Sequence, residues 1–176
     1  MSRGAYISTY LGNRFYPLSG KIESVNIEDI AHGLAYQCRF NGQTSAFYSV
    51  AQHSLLVAGM LPDSLKLVGL LHDAAEAYIG DMVKPLKPFI PEYQNIEKQV
   101  SREISRFFNL EDLSYPEIKE ADLILLATEK RDLMPNSTEP WKAIIGYSAL
   151  GERIISMHPE EAKAEFLAAF LRYSKL

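Results

Sequence analysis

The stretch Leu70-Leu71-His72-Asp73-Ala74-Ala75-Glu76-Ala77-Tyr78-Ile79-Gly80-Asp81 sets one imidazole and three carboxylates into an otherwise apolar, helix-patterned segment. Burying such groups costs roughly several kcal/mol each unless they are hydrogen-bonded, paired or bound to a metal ion. Neighbouring residues on a helix point about 100° apart, so His72 and Asp73 can reach one ion from the edge of a face, with Glu76 one turn beyond His72. The pair fits a helix end with solvated charges as well as half of a metal site. Imidazole with carboxylate suits Zn, Mn, Fe or Co, and two ligands require more from elsewhere in the chain.

At 176 residues and 47% hydrophobic, the chain is long enough for one domain with a substantial core and too short for two, so residues 1–176 are read as one domain. A net charge of -4 and no run of Lys or Arg argue against a nucleic-acid polymer as partner. A small anionic substrate held by a few local cations stays compatible. The single cysteine, Cys38, permits no intrachain disulfide, and its apolar setting predicts a buried structural thiol. Met1-Ser2-Arg3-Gly4 leads into no apolar leader, and no run approaches the ~20 apolar residues of a membrane span. The expectation is a soluble cytoplasmic protein with no membrane partner.

Ala5–Tyr10 and Arg14–Leu18 read as two aromatic strands around a Gly/Asn turn, their rings covering a helical core or walling a planar ligand. Arg14 beside them is either solvated or a phosphate or stacking partner. Asn26 is placed to cap a helix from Ile27 to about Phe40, with Glu28 and Asp29 in its first turn. His32 lies off that helix's apolar stripe, at the surface, between helices or pointing into a site. Ser49-Val50-Ala51-Gln52 has capping-box spacing and opens a helix to about Leu61, with His53 in its first turn among apolar neighbours. Asp63 or Ser64 caps the next helix, which carries His72 and Asp73 and stops at Gly80.

Asp81 to Pro91 is a proline-stiffened loop whose lysines, Lys84 and Lys87, are either solvated or placed to grip phosphate. An amphipathic helix follows from Pro91 to about Phe108, with Tyr93, Ile96, Val100, Ile104 and Phe107 inward and Glu97-Lys98 and Arg102-Glu103 outward. Another starts near Pro116 with Asp122 on a mostly apolar face, and Met134 to Pro140 is a loop. A closing helix from His158-Pro159 turns Ala162, Phe166, Leu167, Phe170 and Leu171 inward. The sum is an all-α bundle of about six helices with a short N-terminal β-hairpin.

On this reading His53, His72-Asp73 and Asp122 interrupt the apolar faces of three separate helices. One ion with two imidazole and two carboxylate ligands satisfies all of them and leaves coordination positions open, as a catalytic site requires.

The order His53, His72-Asp73, Asp122 resembles the HD-domain phosphohydrolase superfamily. The likeness extends to Val50-Ala51-Gln52-His53-Ser54, Leu71-His72-Asp73-Ala74-Ala75-Glu76, Gly80-Asp81, Pro85-Leu86-Lys87 and Glu120-Ala121-Asp122. These blocks look like the bacterial 5'-deoxynucleotidases. Phe15-Tyr16-Pro17, Ile27-Glu28-Asp29-Ile30-Ala31-His32 and Cys38-Arg39-Phe40 look closer to small phage and bacterial HD proteins, among them phage dATP triphosphohydrolases. The resemblance runs from about Tyr6 to Asp132.

It implies a divalent ion (Zn, Co, Mn or Mg) on His53, His72, Asp73 and Asp122, with Glu76 and Asp81 as catalytic acids. Lys87 would contact phosphate, with Lys84 a local addition. Arg14 and Arg39 would contact phosphate or base, and Phe15 and Tyr16 would stack on the base. Many such proteins have His where this chain has Gln43, which puts that position's role in question. The implied reaction is hydrolysis of a dATP-like triphosphate to deoxynucleoside and tripolyphosphate by a cytoplasmic homo-oligomer, in the host cytoplasm if phage-encoded. The alternatives are a 5'-deoxynucleotidase acting on monophosphates and a metal-stabilised binding module without turnover. A di-iron oxygenase would need more histidines than His32 and His158 supply. Guanosine tetraphosphate hydrolases usually have two consecutive acids where this chain has Ala74-Ala75-Glu76.

Overall fold

The helix that opens at Ser49 is the one the others surround, because it is buried on nearly every side. The computed structural model describes residues 4–137 and 139–175. It contains strands β1 (Ile7–Ser8), β2 (Arg14–Tyr16) and β3 (Lys21–Ile22). The helices are α1 (Ile27–Tyr36), α2 (Val50–Met60), α3 (Asp63–Leu71), the single-turn α4 (Glu76–Ile79), α5 (Pro91–Phe107), α6 (Pro116–Leu133) and α7 (Pro159–Tyr173). The fold is therefore mostly helical with a small antiparallel sheet, as the sequence patterning predicts. The readings that involve Met1, Ser2, Arg3, Thr138 and Leu176 lie outside the described residues. No described helix is long and apolar enough to cross a membrane.

Ser49 caps α2 by accepting from Gln52 N at 3.1 Å, and Val50, Ala51, Gln52, His53, Ser54, Val57 and Ala58 are all buried. The helix packs against α1, α3, α6 and α7. A helix enclosed in this way needs no polar face. Its polar residues must instead find partners inside, and the Gln52 amide does so by holding the extended 150–157 segment through Ile155 O and Met157 N.

Asn26 caps α1 as expected, accepting from Glu28 N at 2.8 Å. The helix ends at Tyr36 rather than near Phe40. Gln37 and Cys38 are extended, and Arg39 N bonds to Tyr48 O while Val50 N bonds to Gln37 O. This short antiparallel closure takes the backbone groups that a longer helix would use. Cys38 is only partly buried as a result.

Further along, α3 has no side-chain cap: Asp63 is already helical and accepts from Lys66 instead. The expected continuous helix to Gly80 is interrupted after Leu71. Residues 72–75 keep a helical path through i→i−3 bonds such as Ala74 N to Leu71 O and Glu76 N to Asp73 O, a tighter winding than the α-helix. Gly80, at φ 86°, then closes α4 with its N–H on Glu76 O, a conformation open to glycine at little cost.

The predicted hairpin gains a third strand, with Phe15 opposite Ile7 on one side and Ile22 on the other. Phe15 and Tyr16 point into the core, and the Phe15 ring lies 5.5 Å from that of Tyr78. Two positions expected to face inward are exposed, Phe107 and Leu171. Their places are taken by Phe108, whose ring meets Phe170 edge-on at 5.2 Å, and by buried Ala169.

The approach of α1 to α4 fixes where Glu76 sits. A Cβ at Gly33 would lie 2.9 Å from both the Cβ and the carbonyl oxygen of Ala77. Backbone cannot yield as a flexible side chain can. Gly33→Ala is expected to destabilise the fold by about 1–3 kcal/mol through overpacking, measured by urea denaturation. An unchanged or raised midpoint would show that α4 is free to move away from α1.

Candidate metal centre and adjoining cleft

The first turn of α2, the tight 72–75 turn and the second turn of α6 converge on one point. His53 Nε2 lies 3.3 Å from Asp122 Oδ1 and 3.7 Å from Asp73 Oδ2, and His72 Nε2 lies 3.1 Å from the same Asp73 oxygen. Ligand atoms of His53, His72 and Asp122 all fall within 4.8 Å of one another, a group that can hold a metal ion. Asp73 faces both imidazoles beside it. All four residues singled out in the sequence are thus brought together.

The other ring nitrogens decide the chemistry. His72 Nδ1 is 2.7 Å from Gly69 O, which can only accept, so Nδ1 carries the proton. His53 Nδ1 is 2.7 Å from Glu129 Oε1. With both outer nitrogens donating, a neutral ring presents its Nε2 lone pair to a carboxylate oxygen, which is repulsive unless a proton or cation lies between them. His53 Nε2 is buried without a hydrogen bond of ordinary geometry. The donor set therefore fits a divalent ion.

The electrostatics agree in sign. Burial and Arg39 oppose charge on His53, but Glu129 and Asp122 outweigh them and hold its pKa up at about 9. Burial alone would raise Asp122, yet His53 and His72 bring it down to about 2. Asp73 is likewise held well below the usual range by His72, His53 and Arg39 against its burial.

Glu129 was not singled out in the sequence. It is fully buried and bonded to Arg39 Nη2 at 3.2 Å as well as to His53. Its position seven residues after Asp122, two turns along the same face, was the available signal. Arg39, expected at a phosphate or base, is mostly covered, with 12% of its side chain exposed. Its Nε is 3.2 Å from Glu129 Oε1 and its Nη1 is 3.8 Å from Asp73 Oδ2.

Glu76 stands beside these groups, 5% exposed, with Oε1 3.6 Å from Lys87 Nζ and Oε2 buried without a hydrogen bond. Burial, then Asp73 and Asp81, push its pKa well up, and burial also raises Asp81. Lys87 is engaged by Glu97 at 2.8 Å, while α5 anchors its loop through Tyr93 Oη to Gly80 O and Gln94 Nε2 to Lys87 O. Lys84 is exposed.

The N-terminal candidates lie elsewhere. Arg14 is on the exposed side of the sheet, its guanidinium 5.1 Å from the Tyr6 ring centre. Phe15 and Tyr16 are buried away from the metal-ligand candidates, Phe15 in the apolar core and Tyr16 with its ring 5.9 Å from that of Tyr6. His32 is stacked between Tyr10 and Tyr36, at ring-centre distances of 3.8 and 4.3 Å, and Gln43 is exposed on its turn.

A cleft of about 590 Å³ opens from His72, Asp73 and Glu76 along α5 to residues 110–114. Lys98, Arg102 and Arg106 line it, at intervals of four residues on one helix face, as do Glu97, Glu111 and Asp112. The face of α5 expected to be plain solvent surface is therefore a wall of this cleft.

Two outcomes are expected. Saturation with Mn or Co at ~100 times its dissociation constant should stabilise the protein by about 2.7 kcal/mol, read as a rise in Tm by scanning fluorimetry. His72→Ala and Asp122→Ala should abolish the rise, and an equal rise in both variants would remove the ion from this position. The second concerns Glu76. A raised folded-state pKa means the folded chain keeps a proton that the unfolded chain has released, so stability falls as pH climbs from about 4.5 towards the raised value. Glu76→Gln should therefore exceed the wild type in Tm by a margin that widens with pH across that window. A margin independent of pH would contradict the raised pKa.

No family model matches the chain. The uncharacterized protein YfdR of Escherichia coli (strain K12) is 36% identical to it over 173 residues, which are 98% of the chain and 97% of YfdR. The uncharacterized protein RCAP_rcc00048 of Rhodobacter capsulatus is 38% identical over 120 residues, 62% of the chain and 61% of that protein. Identity of that extent along nearly the whole of both proteins makes the chain a member of the YfdR family.

Proposed function

We propose that the chain is a divalent-metal-dependent phosphohydrolase of the HD type acting on deoxynucleotides. The preferred substrate is a deoxynucleoside triphosphate, dATP first, and the products are deoxynucleoside and tripolyphosphate. The observation that carries the reading is the pairing of two inward Nε2 atoms and two carboxylates with a buried Glu76 at the head of an open cleft.

An ion on His53, His72, Asp73 and Asp122 would supply a Lewis acid and an activated water for attack on phosphorus. The chain's own groups supply the remainder. Glu76, whose pKa burial pushes up, is suited to hand a proton to the departing 5'-oxygen as the bond from α-phosphorus to that oxygen breaks. Lys87, 3.6 Å from Glu76, offsets negative charge nearby. Asp81, near enough to Glu76 to push its pKa up, would act as a positioning acid. Lys98, Arg102 and Arg106 stand along the cleft, where the phosphates beyond the reacting one can be neutralised.

The preference for adenine rests on the resemblance of the N-terminal segments to phage dATP triphosphohydrolases. A second reading, 5'-deoxynucleotidase, is favoured by the acids that share the cleft, Glu97, Glu111 and Asp112, since they disfavour a long anionic tail. The partners are then small nucleotides and a second copy of the chain, with no nucleic-acid polymer and no membrane, in the cytoplasm.

Product analysis of the purified protein with Mn, Co, Zn or Mg separates these readings. Tripolyphosphate from dATP is the expected result, and phosphate from dAMP alone would move the substrate to the monophosphate. Glu76→Gln should lower kcat by ~10²–10⁴-fold while ion binding persists. Full turnover in that variant would overturn the role of Glu76, and no turnover of any deoxynucleotide by a folded, ion-loaded protein would overturn the reading as a whole.

A further inference from the structure

We infer that Glu129 is the positioning residue of the metal centre, presetting two ligands on different elements: His53 directly and Asp73 through Arg39. The inference rests on the proposed metal-dependent reading and adds a residue that contacts neither ion nor substrate.

Glu129 is completely enclosed, and a carboxylate in that setting persists only if its oxygens are matched. One oxygen, Oε1, meets His53 Nδ1 at 2.7 Å and Arg39 Nε at 3.2 Å, while Oε2 accepts from Arg39 Nη2 at 3.2 Å. The first contact fixes the proton of a neutral His53 on Nδ1 and turns Nε2 towards Asp122 and Asp73. A ligand imidazole backed by a carboxylate is also a more basic donor. The Nη2 hydrogen bond and the close approach of Nε hold the guanidinium against Glu129, and its remaining nitrogen, Nη1, lies 3.8 Å from Asp73 Oδ2.

Arg39 in turn is held by unusual backbone. Phe40 and Asn41 both take left-handed conformations, at φ 54° and 51°, which cost non-glycine residues energy and persist only where the surroundings enforce them. The antiparallel closure of Arg39 N on Tyr48 O sets the start of that turn. A side chain that merely screened charge would need none of this. Arg39 is accordingly a bridge between Glu129 and Asp73, and its 12% exposure leaves little of it for a substrate.

The test is isothermal titration of the metal-free full chain with Mn, in wild type, Glu129→Gln, Glu129→Ala and Arg39→Met, each checked for native helix content by circular dichroism. Glu129→Ala is expected to weaken ion binding ~10–100-fold. Glu129→Gln keeps an acceptor for His53 Nδ1–H but loses the charge that orients Arg39, and should fall between the two. Long-range ¹H–¹⁵N spectra of the metal-free protein at a pH where His53 is neutral should place its proton on Nδ1 in wild type and Glu129→Gln. In Glu129→Ala the two tautomers should mix. Wild-type affinity and an unchanged tautomer in Glu129→Ala would overturn the positioning role while leaving the metal centre standing. Wild-type affinity in Arg39→Met would overturn the arm that reaches Asp73. Absence of Mn binding by the wild type would overturn this inference and the reading beneath it.

Discussion

The ion-paired group of Arg39, Glu129 and His53 is the constraint on which the remaining arrangement depends. Three groups that carry or accept charge lie in the interior of a helical protein, where an unmatched charge would cost several kcal/mol by order of magnitude. They are tolerable only together. Because Arg39 comes from the turn after α1, His53 from α2 and Glu129 from α6, the contacts among them also fix how those elements meet. A bundle whose core was entirely apolar could slide or rotate its helices at modest cost. This one cannot without breaking a 2.7 Å contact to a carboxylate with no access to water.

That rigidity explains how a site can be assembled from residues far apart in sequence. His53 enters from a helix enclosed on nearly every side, Asp122 from the neighbouring α6, and His72 and Asp73 from a turn wound more tightly than an α-helix. Each ligand stands on an element already locked by packing. The flanking pieces are held as well: α4 by the close approach of Gly33 to Ala77, and the lysine loop by Tyr93 and Gln94. The cleft along α5 is open, and it leads to Glu76. A carboxyl whose pKa is raised by burial, next to carboxylates whose pKa values are lowered, is the kind of separation in acidity that acid–base chemistry uses.

Much of this was legible in the chain. Asn26 and Ser49 announced their helices by capping chemistry, and three polar interruptions of apolar faces foretold that His53, His72, Asp73 and Asp122 would meet. What escaped had physical reasons. The end of α1 was set by backbone pairing between Gln37–Arg39 and Tyr48–Val50, a tertiary contact that local propensity does not encode. Phe15 and Tyr16 had a ligand-facing alternative because strand alternation cannot say which face a core will cover, and Phe107 lost its place to the adjacent Phe108 at the frayed end of a helix. Glu129 was passed over, and Arg39 was assigned to the substrate, because a charged residue in a charge-rich helix end and one in a loop look solvated until the two are seen to face each other. The Lys98, Arg102, Arg106 row had the spacing of a stripe, but nothing local distinguishes a cleft wall from open surface.

The most direct test of the central claim is anomalous diffraction at the Mn edge from crystals of the full chain grown with Mn. The account predicts one strong peak within ligand distance of His53 Nε2, His72 Nε2, Asp73 and Asp122, with Glu129 still on His53 Nδ1. A peak elsewhere, or Mn bound in solution with none at these four side chains, would contradict it.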